Sequence, residues 1–350
     1  MERLDLGGRP VGPCEPPYII AEIGSNHNGD MNLCRRMIDS AKSCGADAVK
    51  FQSWSKSTLI SKAEYERNIS YSDKKKHFGS LEKMVEKYQL TPTQHRETAE
   101  YCRDRDIAFL SSCFSPAEVD LLDELNAPAF KIASMDINNL PLLQYVARRK
   151  RAVILSTGMA TLGEIEQAVQ ILRNEGSGPV ALLHCISIYP PLMEDIHLRN
   201  ILSLHSVFDL PVGFSDHSIG TSIPLAAIAL GACIIEKHFT LNKDLPGWDH
   251  AISADPAELT VIAREGRNVF TALGNTVRTV NAAEMEKRKI FRRRAVLSRP
   301  VRSGQVINDD DLKFLRPGTG IDPDQVRYVV GRTVKFDLEA DHELEWSDLV

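Results

Sequence analysis

At 350 residues the chain can bury about three-quarters of its extended surface, so it needs no staples to hold a core. It has room for two domains, or for one large α/β barrel with an appendage. Apolar residues at 43% and charged residues at 25% exclude a disordered or fibrous chain, and a net charge of −5 gives no footprint for nucleic acid or an anionic membrane.

The seven cysteines, Cys14, Cys34, Cys44, Cys102, Cys113, Cys185 and Cys233, are odd in number and scattered, with no C-x-x-C pair. That pattern indicates neither a disulfide framework nor a zinc ribbon and fits small core residues in a reducing compartment. MERLDLGGRP at the start carries no apolar signal stretch, and no apolar run reaches the roughly 18 residues of a membrane span. The expectation is a soluble, cytoplasmic protein.

In chain order, short apolar runs begin at Tyr18 (YIIAEIG), Ala48 (AVKFQSW), Ala108 (AFLSS) and Ala129 (AFKIAS). Others follow at Ala152 (AVILSTG), Val180 (VALLHC), Pro211 (PVGFSD) and Cys233 (CIIEKHF). Their near-continuous apolar character predicts strands covered on both faces. Helical periods alternate with them. Met31 to Gly45, Thr91 to Asp106 and Pro116 to Asn126 precede a segment opened by a Thr161/Glu164 capping box and closed at Gly176. Gly220–Leu230 and Asp255–Leu273 complete the rhythm. Eight β units over about 250 residues predict an α/β fold of the (β/α)8 TIM-barrel type. An open doubly wound sheet is the alternative, although AEIGSNHNG lacks its G-x-G-x-x-G turn.

After a basic stretch, NAAEMEKRKIFRRRA, the texture changes to short β-like pieces and turns. The predicted organisation is a barrel over 1–280, a linker over 281–293 and a small, mostly β domain over 294–350. The basic stretch reads as a solvated linker or as a docking surface.

Functional groups of a TIM barrel sit at the C-terminal strand ends. Here those ends are polar throughout. They are Glu22 with Ser25 to Asn28, Lys50 with Gln52, Ser111 with Ser112, Lys131 with Ser134 and Asp136, and Ser156 with Thr157. His184 with Ser187 and Tyr189, Ser215 with Asp216 and His217, and Glu236 with Lys237 and His238 follow. Any one could be a satisfied core group, but eight at one end are hard to explain by packing. Two lysines and several hydroxyls suit a phosphate or carboxylate ligand. His217 and His238, on adjacent strands, could share a divalent cation or serve structural hydrogen bonds; with carboxylates and lysines at the same rim, the metal is favoured.

AEIGSNHNG, AVKFQ, FKIAS, STGMATLGEIE, HCISIYP, GFSDHSIG and EKHFT follow the order and spacing of the sialic acid synthase family. SRPVRSGQVINDDDLKFLRPGTGI resembles that family's C-terminal antifreeze-like (SAF) domain, so the resemblance covers essentially the whole chain. It implies a divalent-metal-dependent transferase, using Mn2+ or Mg2+, that condenses phosphoenolpyruvate (PEP) with an N-acetylmannosamine-type sugar. The products are a nine-carbon 2-keto acid, such as N-acetylneuraminate, and phosphate.

Carried over residue by residue, Lys50, Ser112, Lys131, Ser134, Ser156, Ser187 and Ser215 match the PEP side. His217 and His238 match the metal ligands. Glu22, with the lysines and histidines, falls in the catalytic set. Gln52, Asp136, Tyr189, Asp249 and Arg316 match the sugar side. The resemblance also implies a homodimer whose swapped SAF domain inserts Arg316 into the partner's barrel.

Three residues depart from the neuraminate pattern. They are Ser187 in place of asparagine, Asp136 in place of glutamate, and bulky Trp248 beside Asp249. They open the legionaminate, pseudaminate and spore-coat alternatives, which take a modified mannosamine or related hexose. Rivals of other classes are an aldolase forming a Schiff base at Lys50 or Lys131, a related keto-acid sugar-phosphate synthase, and an inert carbohydrate-binding barrel.

Overall fold

Eight parallel strands close on themselves in sequence order, each hydrogen-bonded to the next and the last to the first. They are β1 (Tyr18–Gly24), β2 (Ala48–Gln52), β3 (Ala108–Ser112), β4 (Ala129–Ile132), β5 (Ala152–Ser156), β6 (Val180–Cys185), β7 (Val212–Asp216) and β8 (Ile234–His238). The computed structural model describes residues 3–73, 76–316 and 318–350. The fold is a TIM barrel, as the strand count predicts.

Every residue of β1, β5, β6, β7 and β8 is buried. That is why those runs read as continuous rather than alternating. The barrel closes where β8 pairs with β1, and in this register His238 lies beside Glu22.

Helices α1 (Met31–Ser43), α2 (Pro92–Asp104), α3 (Pro116–Glu124), α4 (Leu140–Ala147), α5 (Leu162–Asn174), α6 (Asn200–Phe208), α7 (Ser222–Ala229) and α8 (Pro256–Leu273) follow the strands in turn. The expected capping box opens α5, with Thr161 N donating to Glu164 Oε2 at 2.7 Å. No helical period announces α4 (LPLLQYVA) or α6 (NILSLHSVF). These short segments are apolar on most sides, so they carry little amphipathic signal.

Between β2 and α2 the chain makes an excursion that the strand–helix rhythm does not predict. It holds short helices Lys56–Leu59 and Lys62–Arg67, an antiparallel hairpin (Tyr71–Asp73 with Lys76–Gly79) and a helix Leu81–Tyr88. The excursion has its own apolar cluster, built on Trp54, Tyr65, Leu81, Met84, Val85 and Tyr88, against which Leu59, Phe114 and Trp248 pack. A second small hairpin, Leu4–Asp5 with Pro10–Val11, contributes Leu4, Leu6 and Val11 to the core at the opposite end of the barrel.

The chain divides into two compact units, Met1–Gly274 and Asn275–Val350. The second contains helix α9 (Ala282–Phe291), entirely exposed, where the sequence predicts a linker; Asn281 caps it by accepting from Glu284 N at 2.9 Å. Strand β9 (Arg294–Leu297) pairs antiparallel with β10 (Leu312–Leu315), and isolated bridges and 3-10 turns complete a mostly β unit. Its core is Ala295, Leu297, Val301, Ile307, Ile321, Val329, Val334, Leu338, Leu344 and Leu349.

All seven cysteines are free, and only Cys14 is exposed. Among the described residues no helix is long and apolar enough to cross a membrane.

Candidate active site

Because side chains alternate along a strand, each strand end sends one residue inward and the next outward. Lys50, Ser112, Lys131, Ser156, Cys185, Ser215, Glu236 and His238 turn inward and line one cavity of about 380 Å3. Glu22, Gln52, Ser134, Ser187, Tyr189 and His217 join them from the strand ends and loops. Larger hollows lie elsewhere. One of about 470 Å3 surrounds Arg9 and Asp47 at the N-terminal strand ends, and one of about 870 Å3 borders the excursion. Neither gathers a comparable set of buried, converging charges.

At the cavity floor Lys50 Nζ pairs with Glu22 Oε2 at 2.7 Å and donates to Ser112 Oγ at 3.1 Å. Lys131 Nζ donates to Ser156 Oγ at 2.7 Å and to the Ile132 carbonyl at 3.2 Å. Between the two ammoniums lies Glu236, whose Oε1 is 3.9 Å from each and accepts from Ser215 Oγ at 3.0 Å. Its Oε2 is buried, with no hydrogen-bond partner among the described residues. Gly158 N donates to Ser134 Oγ at 3.0 Å, and a Cβ at 158 would lie 2.4 Å from Ser187 Oγ, so glycine lets these hydroxyls draw together.

The electrostatics separate the two carboxylates. Burial, reinforced by Glu236 and only partly offset by Lys50, lifts the Glu22 pKa to about 7. Burial also opposes the charge on Glu236, but Lys131, Lys50 and the Ser215 hydroxyl together hold its pKa below the ordinary value. Burial and the neighbouring Lys50 lower Lys131. Lys50 is raised despite burial, because Glu22 and Glu236 outweigh it.

His217 and His238 stand side by side, with ring centroids 5.4 Å apart and the Tyr189 ring 4.0 Å from His217. His217 Nδ1 donates to the Ile186 carbonyl at 2.8 Å, which leaves Nε2 with its lone pair. Burial, then His238, lowers the His217 pKa to about 4, so its ring is neutral. Asp249 Oδ2 lies 4.0 Å from His238 Nδ1. Among the described residues no group of three or more His, Cys, Asp or Glu that could hold a metal ion occurs. His217 Nε2 and the neighbouring His238 ring are donors of the kind a divalent cation takes, and two imidazoles would leave its other positions to water or substrate.

Several rim residues face away from the cavity. Lys237 Nζ pairs with Asp216 Oδ2 at 2.7 Å and also reaches the Ser218 carbonyl. His184 Nε2 meets the Ile196 carbonyl at 2.7 Å, and Ser111 Oγ meets Ser53 Oγ at 2.6 Å. Asn26 Nδ2 donates to the Phe239 carbonyl at 2.9 Å, tying the loop after β1 to the end of β8.

Two expected sugar-side residues of the barrel do not line the cavity. Asp249 approaches it through His238. Asp136 sits on the 3-10 turn Ser134–Asp136, which carries it off the strand direction, and its Oδ1 accepts from Asn139 Nδ2 at 3.0 Å. Arg316 belongs to the second unit, where its guanidinium lies over the Phe291 ring at 5.2 Å. Pro317 of the R-P-G-T-G turn lies outside the described residues.

Among the buried polar groups of the cavity, Glu236, which the sequence places at a strand end without a role, and Cys185 are those to which the sequence assigns no part in the site. The period-two signal is present, since Glu236 lies two residues before His238 on one strand and must share its face.

The NeuB family model matches residues 37–278, and the SAF domain model matches 292–350. The chain belongs to the NeuB family, the nonulosonic acid synthases. A Methanocaldococcus jannaschii protein of uncharacterized function is 41% identical over 100% of this chain and 99% of its own. The N,N'-diacetyllegionaminic acid synthase of Legionella pneumophila is 37% identical over 98% of this chain and 97% of its own. A crystal structure of a Leptospira borgpetersenii N-acetylneuraminic acid synthetase, in complex with citrate, superposes with a TM-score of 0.72. It is 37% identical and covers 82% of this chain and 95% of its own. This NeuB-family chain is thus a transferase-type synthase whose second unit contains the SAF domain.

Proposed function

We propose that this NeuB-family protein condenses PEP and water with an N-acyl hexosamine of the mannosamine type. The products are a nine-carbon 2-keto acid and inorganic phosphate. The observation that carries this reading is the cavity floor. Two buried lysines and the hydroxyls of Ser112, Ser134, Ser156, Ser187 and Ser215 converge there, next to the paired imidazoles. Two buried ammoniums ringed by hydroxyl donors suit a small ligand with a carboxylate and a phosphate group.

In this reaction C3 of PEP forms the new bond to the sugar's aldehyde carbon. The positive charge left at C2 is captured by water, and the resulting tetrahedral adduct expels phosphate. Lys50 and Lys131 hold the phosphate and carboxylate and compensate their charge. Glu236 keeps the two ammoniums from repelling one another while the cavity is unliganded. Glu22, poised near neutral pH, takes the proton from the attacking water. A divalent cation, Mn2+ or Mg2+, held by His217 and His238 would polarise the open-chain carbonyl. The protein is proposed to work in the cytoplasm as a homodimer in which Arg316 of the SAF domain completes the partner's barrel.

The deciding experiment is phosphate release from PEP with and without the sugar, and with and without chelator. Release that requires both sugar and divalent cation supports the reading. PEP left intact with every N-acyl mannosamine-type sugar, metal present, refutes it.

A further inference from the structure

We infer that Trp54 and Trp248 are specificity-determining residues for the end of the acceptor sugar opposite the aldehyde, and that they select a methyl group there over a hydroxymethyl. The inference rests on the proposed reaction for the sugar's orientation, with its aldehyde at the His217/His238 pair.

Lys50, Gln52 and Trp54 occupy alternate positions on β2 and its continuation, so they climb one face at about 6.6 Å per step. Trp54 therefore stands outward of the reacting centre. Trp248, from the loop after β8, meets it edge-on, with centroids 6.0 Å apart at 66°, and Tyr88 braces Trp248 from behind at 6.2 Å and 82°. Leu59 and Phe114 continue this wall of the cavity, and Met135 and Met159 also line it.

What the wall offers depends on its N–H groups. An indole has one donor and no acceptor. Trp54 Nε1 donates to Gln52 Oε1 at 2.8 Å, and Trp248 Nε1 donates to Tyr71 OH at 3.2 Å. Tyr71 itself does not line the cavity. Both indole donors are engaged elsewhere, so the two rings present only carbon to the ligand. Gln52 is engaged as well, its Nε2 donating to Glu22 Oε1 at 3.1 Å, so a hydrogen-bonded chain runs from the floor to the wall and fixes Trp54.

A hydroxyl pressed against such a surface loses its water and gains no partner, whereas a methyl gains by burial. In the open-chain sugar the atom farthest from the aldehyde is C6. C6 is therefore the position this wall reads.

The test compares N-acetylmannosamine with its 6-deoxy analogue in the wild type, Trp248→Phe and Trp248→Gln, by kcat/KM for phosphate release. The 6-deoxy sugar is expected to win by about tenfold to a hundredfold in the wild type, the range an apolar pocket can supply. Trp248→Phe keeps the carbon surface and is expected to keep most of that ratio. Trp248→Gln restores a donor and acceptor and is expected to bring it several-fold nearer to one. Equal kcat/KM in the wild type overturns the inference, and so does a ratio unchanged in Trp248→Gln.

A second readout is equilibrium binding followed by indole emission, since two of the chain's three tryptophans form the wall. It does not depend on turnover. If neither sugar releases phosphate, the proposed reaction fails, and binding of the two sugars to the wild type still decides the wall. Tighter binding of the 6-deoxy sugar upholds the inference, and equal binding overturns it. The same comparison decides it if Trp248→Gln does not fold.

Discussion

Glu22 and Lys50 are register partners on neighbouring strands, and their side chains form an ion pair of 2.7 Å with both groups almost wholly out of solvent. A pair so placed owes more to chemistry than to stability, because taking two charges out of water offsets most of their attraction.

Removing one partner should expose this balance. Lys50→Met leaves Glu22 and Glu236 facing each other with a single remaining cation, and is expected to cost about 3–5 kcal/mol at pH 8. Adding Glu22→Gln should recover a substantial part. Urea denaturation of both variants checks this, and equal stability of single and double variants would count against the coupling.

The raised Glu22 pKa makes a second prediction. The folded chain holds this proton up to about 7, against an ordinary value of 4.5. Between those values the unfolded chain has lost the proton and the folded chain has not. The group's contribution to stability is therefore complete below about 4.5 and declines as pH rises through 7. Glu22→Gln mimics the protonated form and escapes the decline. Its Tm relative to wild type should become more favourable from pH 5 to pH 8 in thermal scans. A pH-independent difference would contradict the shifted pKa.

In catalysis the same variant should lose the acid limb of the pH–rate profile, and about 10²- to 10⁴-fold in kcat, the ordinary range for a general acid–base group. Retained kcat with an unshifted profile would remove Glu22 from the proton-transfer role.

Replacing His217 or His238 with alanine should abolish divalent-dependent phosphate release while circular dichroism stays close to wild type. Full activity in the double variant would sink the assignment of the imidazoles to the cation.

Complementation addresses Arg316. Arg316→Ala and His217→Ala chains, each inactive alone, should regain activity when mixed if one chain's SAF domain completes its partner's barrel. No recovery, despite demonstrated subunit exchange, would mean that the site is not shared.

The barrel was legible because its strands are apolar runs with polar ends, and packing alone does not require that polarity. Which polar residue faces inward was less legible. Glu236 and Lys237 are adjacent in sequence, yet one bridges the two floor lysines and the other is locked to Asp216 on the far face. Period two separates them only once a strand's register is known. Of the wall, the sequence marks only Trp248, as a bulky residue beside Asp249, and not its meeting with Trp54 and Tyr88. Trp54, Tyr88 and Trp248 come from three distant segments; Leu81, Met84, Val85 and Tyr88 carry a helical period, but a period does not say which segments that helix face packs against. Ser134 shows the converse: it lies three residues from inward-facing Lys131, so strand alternation would turn it away, and the 3-10 turn Ser134–Asp136 brings it to the cavity.

The seam between β8 and β1 sets Glu22 beside His238, so the first and last strands each supply part of one cavity. During synthesis the ribosome must release residue 238 before these groups can meet, and joining them closes a loop of more than two hundred residues. Such long-range pairing is slow and comes late in folding. A chain released only as far as β7 carries Lys50, Lys131 and the floor serines but lacks Glu236 and His238. The carboxylate between the two lysines and the second imidazole come with the strand that shuts the barrel.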